Sequence, residues 1–218
     1  KYSADDKKDQ TYMLWRLPQD ILSMLVFPLS NMKKEEIRRD SKEKGLFAAE
    51  RGDSQEICFI PDGDYVSYIE NRAGASARGN FIDEEGNVLG EHKGIINYTV
   101  GQRKGLGISA ATRIFVTDIN PKNNTVTLSK KSRESTALTV SGVIYSGMNE
   151  LKLGDEKELS VKLRYAAPAV KCRVICTGEN ELSVILDAPV RAVTAGQSAV
   201  FYEDGVLLLG GFIDAPHS

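Results

Sequence analysis

Three cysteines, two histidines and a few glycine-flanked cations are the residues of this chain whose types could carry chemistry. Cys58 sits in RGDSQEICFI, where a charged, polar approach turns abruptly into an apolar run. A nucleophilic cysteine wants nearby cations or a helix N-terminus to stabilise its thiolate. The sequence neighbours here are Asp53 and Glu56, which oppose ionisation. Local sequence therefore reads Cys58 as a small hydrophobe opening a buried strand, with a chemical role as the sharper alternative. Cys172 and Cys176 lie in AVKCRVIC, a strand pattern. Four residues along a strand span about 13 Å, too far to bridge, and two cysteines without a second pair make a poor zinc site. Both read as core or strand-face residues. His92 and His217 are isolated, the second in an expected frayed tail, and no Ser-His-Asp or metal cluster follows from them.

Two further stretches could hold a polyanion. In YTVGQRKGLG, Gly101, Gly105 and Gly107 free the backbone while Arg103 and Lys104 supply charge. Such a loop can present N–H groups and cations to phosphates. It lacks the spacing and the Lys-Ser/Thr ending of a nucleotide-binding P-loop, and the plainer reading is a basic turn. In LRYAAP, Arg164 and Tyr165 offer a guanidinium for phosphate and an aromatic face for a base or sugar. The plainer reading is a strand pair with Tyr165 buried and Arg164 snorkelling. Gln197 follows Gly196 in a turn, where its amide either reads a nucleotide or caps the backbone.

The elements that must position these residues fall into two styles. DQTYMLWRL has helical spacing, Pro18 suits the first turn of a second helix over PQDILSMLVF, and Phe27-Pro28 ends it. A third helix lies in SNMKKEEIRRDSKEKGLF, with Ser30 or Asn31 as cap, Glu35 and Glu36 in its first turn and Gly45 as stop. Its charge run reads as a solvated face, with Ile37 and little else pointing inward. From Ile57 onward short strands alternate with glycine-containing turns, including a hairpin at DEEGNVLG and a turn at PKNN. Helices followed by runs of strands indicate an α+β chain or separate domains, and the regular strand spacing a closed barrel or sandwich.

The 218 residues suffice for one large domain or two modest ones. A formal net charge of -2 argues against nonspecific coating of nucleic acid, without excluding a local basic patch. An odd cysteine count argues against a disulfide scaffold. No apolar stretch approaches membrane-spanning length and KYSADDKKDQ is no signal peptide, so the expectation is a cytoplasmic protein.

KKDQTYML, FPLSNMKKEEIR, GDSQEICFIPDGDY, GEHKGIINYTVGQRKGLGI, LRYAAPAVKC and TAGQSAVFYEDGVLLLGG, in that order, resemble the bacterial tRNA-specific 2-thiouridylases, the MnmA family. The resemblance runs from about Asp5 to Ile213, and the pairing of DSQEICF with YTVGQRKGLG is specific. It implies a fold: a helical remnant of a catalytic domain (residues 1–62), a small mainly-β central domain (63–135) and a C-terminal antiparallel β-barrel (136–218). It implies an activity: ATP, with magnesium, adenylates the C2 oxygen of a tRNA wobble uridine, and an enzyme persulfide delivers sulfur. Cys58 takes the position of the persulfide carrier, with a second cysteine completing the exchange through a disulfide. Lys8, Asp9 and Gln10, Arg164 and Tyr165, and Gln197 take tRNA-contact positions, with Arg103 and Lys104 as further possible contacts. The implied partners are tRNA and a sulfur-relay or cysteine-desulfurase donor; a monomer is expected. The family's glycine-rich phosphate loop and second cysteine are not in this sequence. The expectation is therefore a C-terminal piece, inactive alone, with no cofactor of its own. A noncatalytic RNA-binding barrel is the alternative.

Overall fold

The computed structural model describes residues 1–5, 8–46, 60, 63–108 and 112–217. The chain divides into two compact units, Lys1–Arg51 with Ser135–Ser218, and Gly52–Glu134. The fold is α+β, with few helices, a mixed sheet and a closed antiparallel barrel.

In the first unit three short helices precede the barrel: α1 (Thr11–Leu14), α2 (Gln19–Met24) and α3 (Lys34–Glu43). Pro18 stands one residue before α2 as its N-cap, where its fixed φ of -66° is harmless. The helix stops at Met24, with Leu25 already extended, three residues short of the Phe27-Pro28 stop expected from sequence. None of its residues is buried, and so short a helix has little stability beyond what packing supplies. Ser30 and Asn31 do not cap α3. Lys33 precedes it, donating its N–H to Glu36 Oε2 at 2.8 Å, while Asp5 Oδ2 accepts from Lys34 N at 3.0 Å. That cap reaches in from a distant segment, so local sequence could not show it. Gly45, at φ +64°, ends the helix as expected. Gly45 N bonds Lys42 O and Leu46 N bonds Ser41 O, the paired bonds of a glycine stop. No residue of α3 is buried, and Ile37 is only half covered.

The barrel is built from β5 (Glu134–Tyr145), β6 (Glu156–Lys162), β7 (Val170–Gly178), β8 (Glu181–Arg191), β9 (Ser198–Glu203) and β10 (Val206–His217). They close in the order β10-β5-β8-β7-β6-β9. Alternate residues point inward, as period two demands: Leu159 and Val161, Cys172, Val174 and Cys176, Leu182, Val184 and Leu186 fill the interior. Cys172 and Cys176 are free, buried thiols, the strand-face residues expected from AVKCRVIC. His217 is not in a frayed tail. It pairs with Ala137 across β10 and β5, because β10 is long enough to close the barrel to its end.

Strand β9 breaks the alternation, since Ala199, Val200, Phe201 and Tyr202 are all buried. Ala199 and Phe201 face the interior, whereas Val200 and Tyr202 pack outside with Tyr12 and Trp15. The N-terminal segment covers that outer face. Tyr2 donates its N–H to Gly205 O, its ring lies 4.7 Å from that of Tyr202, and Trp15 meets Phe212 edge-on at 5.1 Å. Gly210 makes room: a Cβ there would stand 2.7 Å from the Trp15 ring. Trp15 is 2% exposed. A buried indole is worth about 4–6 kcal/mol in area removed from water, an upper figure that far outweighs the propensity of a one-turn helix.

The second unit holds α4 (Tyr65–Ala73) and a four-stranded sheet of β1 (Gly79–Ile82), β2 (Val88–His92), β3 (Phe115–Asn120) and β4 (Thr125–Ser129), ordered β2-β1-β4-β3. The β1–β4 pair is parallel and the others antiparallel. Sequence reading placed only strands here and missed α4. Its signal was local: Asp64 accepts from Ser67 N at 3.0 Å and from the Ser67 hydroxyl, and Gly74 (φ +88°) ends the helix. The DEEGNVLG and PKNN turns fall where expected, between β1 and β2 and between β3 and β4. His92 is buried against Phe81 and Tyr98. Its Nδ1 accepts from Gly94 N and its Nε2 donates to Asn124 O, each at 3.1 Å, so both ring nitrogens serve the fold.

Candidate nucleic-acid interface

One end of the barrel gathers the loop after β6 and the loop before β9, and the α1 segment lies against it. Tyr12 ties the three together. Its hydroxyl donates to Ser198 O at 2.9 Å, and its ring meets Tyr165 edge-on at 6.2 Å and 67°. Burial raises the Tyr12 pKa, while the bond to Ser198 and the nearby Arg164 guanidinium lower it in part. The phenol stays neutral and donating.

Arg164 is half-buried, with Nη2 donating to Ala192 O at 2.6 Å. Ala192 holds φ +55°, an unusual backbone for alanine, and its carbonyl also accepts from Thr194 Oγ1 at 3.1 Å. Tyr165 is 42% exposed, so it is not the buried tyrosine of the plainer reading. Beside it opens a recess of about 340 Å³ lined by Gln10, Met13, Leu14 and Tyr165. Gln197 adjoins Ser198; its Oε1 is shut from solvent and has no hydrogen-bond partner among the described residues. Its backbone exchanges with β10, Gly196 N bonding Ile213 O and Ile213 N bonding Gln197 O.

Lys8 and Gln10 are exposed, whereas Asp9 between them is only 4% exposed. The Asp9 carboxylate accepts from Ser3 N at 3.0 Å, Thr11 N at 3.2 Å and the Thr11 hydroxyl, which lies 3.2 Å from Tyr202 Oη. Asp9 thus staples the N-terminal segment, and its negative charge is turned away from the surface.

The glycine-basic loop lies in the second unit. Gly101 N bonds Val116 O and Gln102 N bonds Thr99 O, and Thr99 N donates to Gln102 Oε1 at 2.9 Å. Gln102 Nε2 donates to Lys104 O at 3.0 Å, leaving Arg103 and Lys104 exposed. Three N–H groups that could have cradled a phosphate are already engaged, those of Thr99 and Gln102 within the turn and that of Gly101 with Val116 O of β3. The residues present therefore do not form a triphosphate cradle here. Cys58 lies outside the described residues. No three His, Cys, Asp or Glu side chains form a metal cluster among the described residues. No helix among them is long and apolar enough to cross a membrane.

Sequence reading missed Tyr12, Met13 and Leu14. The signal was the one-turn spacing in QTYMLW: residues 11, 12 and 15 turn inward, while Gln10 and Met13 stay outside.

Three family models match along the chain: a tRNA methyl transferase HUP domain over residues 1–62, a tRNA methyl transferase PRC-barrel domain over 67–130, and an aminomethyltransferase beta-barrel domain over 135–213. Similar curated proteins include a tRNA-specific 2-thiouridylase MnmA of Clostridium botulinum (strain Alaska E43 / Type E3), 42% identical over 98% of this chain and 59% of that protein. Those of Acetivibrio thermocellus and Clostridium acetobutylicum are 40% and 42% identical over 98% and 97% of this chain, and 59% of each relative is covered. The chain thus spans about 59% of the length of these relatives. With family models matching in succession over residues 1–62, 67–130 and 135–213, and 40–42% identity to these relatives over nearly all of its length, the chain belongs to the tRNA-specific 2-thiouridylase MnmA family.

Proposed function

We propose that this chain serves a tRNA 2-thiouridylase, in which its barrel end and α1 segment hold tRNA and Cys58 carries sulfur as a persulfide. The reaction is ATP-dependent transfer of that sulfur to C2 of the wobble uridine, which gives 2-thiouridine. The observation that carries the reading is the meeting, at one barrel end, of Gln10, Arg164 and Tyr165 around Tyr12, with cations and an aromatic face at the surface and Asp9 turned inward.

The chemistry suits the residue types. A persulfide needs a polarizable nucleophile that holds a second sulfur and releases it by thiol exchange, which is cysteine's property. ATP, with magnesium, would supply activation of the uridine oxygen as a leaving group. ATP use is assigned to the whole protein. Thiolation by this chain alone is not expected. A sulfur-relay or cysteine-desulfurase protein loads Cys58, the protein works in the cytoplasm, and it acts as a monomer. Lys8, Arg164 and Tyr165 contact the RNA directly, and Gln197 does so through its turn.

The test is thiolation by the whole protein with a persulfide donor, ATP and tRNA, read as 2-thiouridine by nucleoside mass spectrometry. Cys58→Ser should abolish the product while leaving tRNA affinity within about twofold. Undiminished product from that variant would overturn the role of Cys58. A whole protein that binds tRNA and, with Cys58 intact, donor and ATP supplied, yields no product would favour the noncatalytic RNA-binding barrel.

A further inference from the structure

We propose that the face of α4 carrying Tyr65, Tyr68, Ile69 and Arg72 is the docking surface for the protein that loads Cys58 with sulfur. That protein is a persulfide donor with an apolar cleft rimmed by cations. The inference rests on the reading of Cys58 as sulfur carrier and deepens it by giving the donor a surface.

Helix α4 gives nothing to the core of its own unit. No residue from Tyr65 to Ala73 is buried. The core centred on Phe81, Val116 and Val126 takes no side chain from α4 among the described residues. Yet YVSYIENRA is amphipathic. Residues 65, 68, 69 and 72 share one arc, the i, i+3, i+4, i+7 spacing with which a helix enters a partner's groove, while Ser67, Glu70 and Asn71 take the opposite side. Tyr65 is 42% exposed and Ile69 38%. Arg72 Cζ lies 3.7 Å from the centre of the Tyr68 ring, so the pair presents one stacked surface. Tyrosine and arginine are over-represented where the binding energy of protein interfaces concentrates.

Charge selects the occupant. Between Arg51 and Arg72 the sequence holds Asp53, Glu56, Asp62, Asp64 and Glu70 and no cationic residue. Asp64 caps α4 and Glu70 accepts from Ser76 N at 3.1 Å, which fixes these two at the helix. Such a run repels a phosphate backbone and attracts a protein surface of positive sign. The tRNA has to reach the sulfur but gains nothing by lying along α4. Six residues separate Cys58 from Tyr65. That is at most about 25 Å of extended chain, less than the width of a small domain, so a donor seated on α4 can span it. The Cys58 thiolate then attacks the terminal sulfur of the donor's Cys–S–SH. The donor S–S bond breaks, its electron pair leaves on the donor thiolate, and an S–S bond forms at Cys58 with no net oxidation or reduction.

The experiment follows labelled sulfur onto the whole protein from two sources, with Cys58→Ser as the blank. One is a cysteine desulfurase, with its sulfur-relay proteins, charged with labelled cysteine; the other is glutathione persulfide, which needs no docking surface. Tyr65→Ala with Ile69→Ala should slow loading by the protein donor on the order of 10-fold, as a raised KM. Loading by glutathione persulfide should stay within about twofold. Tyr65→Phe with Ile69→Leu should keep both rates, and added salt should slow the protein donor alone. Circular dichroism and the melting temperature verify the fold of each variant. Wild-type loading of the double alanine variant by the protein donor overturns the docking surface. So does loss of tRNA affinity in that variant with donor loading intact, which would give α4 to RNA. A wild type that takes sulfur from glutathione persulfide but from no protein donor overturns it as well. If glutathione persulfide puts no sulfur on Cys58, the carrier reading itself falls.

Discussion

The two units present cations in opposite ways. In the second unit Arg103 and Lys104 project, exposed, from a turn closed on itself by Gln102. In the first, Arg164 is half-buried and anchored on Ala192 O, and Tyr165 stands on Tyr12, which is buried against the outside of β9. The difference is one of preorganisation. An exposed arginine or lysine gives up side-chain freedom when it grips a phosphate, whereas an anchored one has already done so. Equal formal charge therefore predicts unequal binding.

Three measurements can break or sharpen that contrast. The largest effect is expected from Gly210→Val, whose Cβ has no room beside Trp15. Overpacking costs about 1–3 kcal/mol, and losing the Trp15 anchor adds to it. The variant should melt lower, by about 2–4 °C per kcal/mol, and its Trp15 emission should shift to the red. Unshifted emission would show that the outer covering of β9 is not what steadies the barrel end.

Next comes alkaline stability. Burial, then Asp187, raises the Cys172 thiol from 9.0 to about 12. The unfolded chain loses this proton near 9 while the folded barrel keeps it to about 12. Between those values the unfolded state binds fewer protons, so stability is full below pH 9 and falls as pH rises. This group contributes a slope of at most about 1.4 kcal/mol per pH unit. Cys172→Ala should flatten the alkaline limb in denaturant titrations. An unchanged limb would mean that the barrel interior is wetter than its packing indicates.

The smallest effect separates the two cation sites directly. Arg164→Ala should weaken tRNA binding about 10-fold, and Arg103→Ala with Lys104→Ala only about two- to threefold, mostly as a shallower salt dependence. Equal losses would erase the distinction between the units.

Much of this architecture was legible in the sequence. Alternation in KELSVKL and AVKCRVIC gave the inward faces of β6 and β7, because a half-buried strand writes its period into the chain. The inner face of α1 was readable in principle from QTYMLW. What could not be read was whatever depends on a distant partner. Val200 and Tyr202 occupy outward positions of β9 and are buried only because residues from the N-terminus cover them. Asp9 looks like a surface acid beside Lys8 and is in fact spent on Ser3 and Thr11. The cap of α3 comes from Asp5. Cys58 shows the limit from the other side. Its neighbours Asp53 and Glu56 argue for an inert thiol, and only the resemblance gives it a chemical role.

The covering of β9 also bears on how such chains can be inherited. Residues 1–62 and 135–213 match separate family models, as though they were interchangeable modules. Yet Trp15 of the first sits in the gap that Gly210 of the second leaves open, and Tyr12 and Tyr202 share one core. A recombination that replaced either segment alone would strand an indole in water or set a side chain against it. The two are thus expected to travel together through evolution, with positions 15 and 210 changing in concert, although the intervening sheet unit lies between them in the gene.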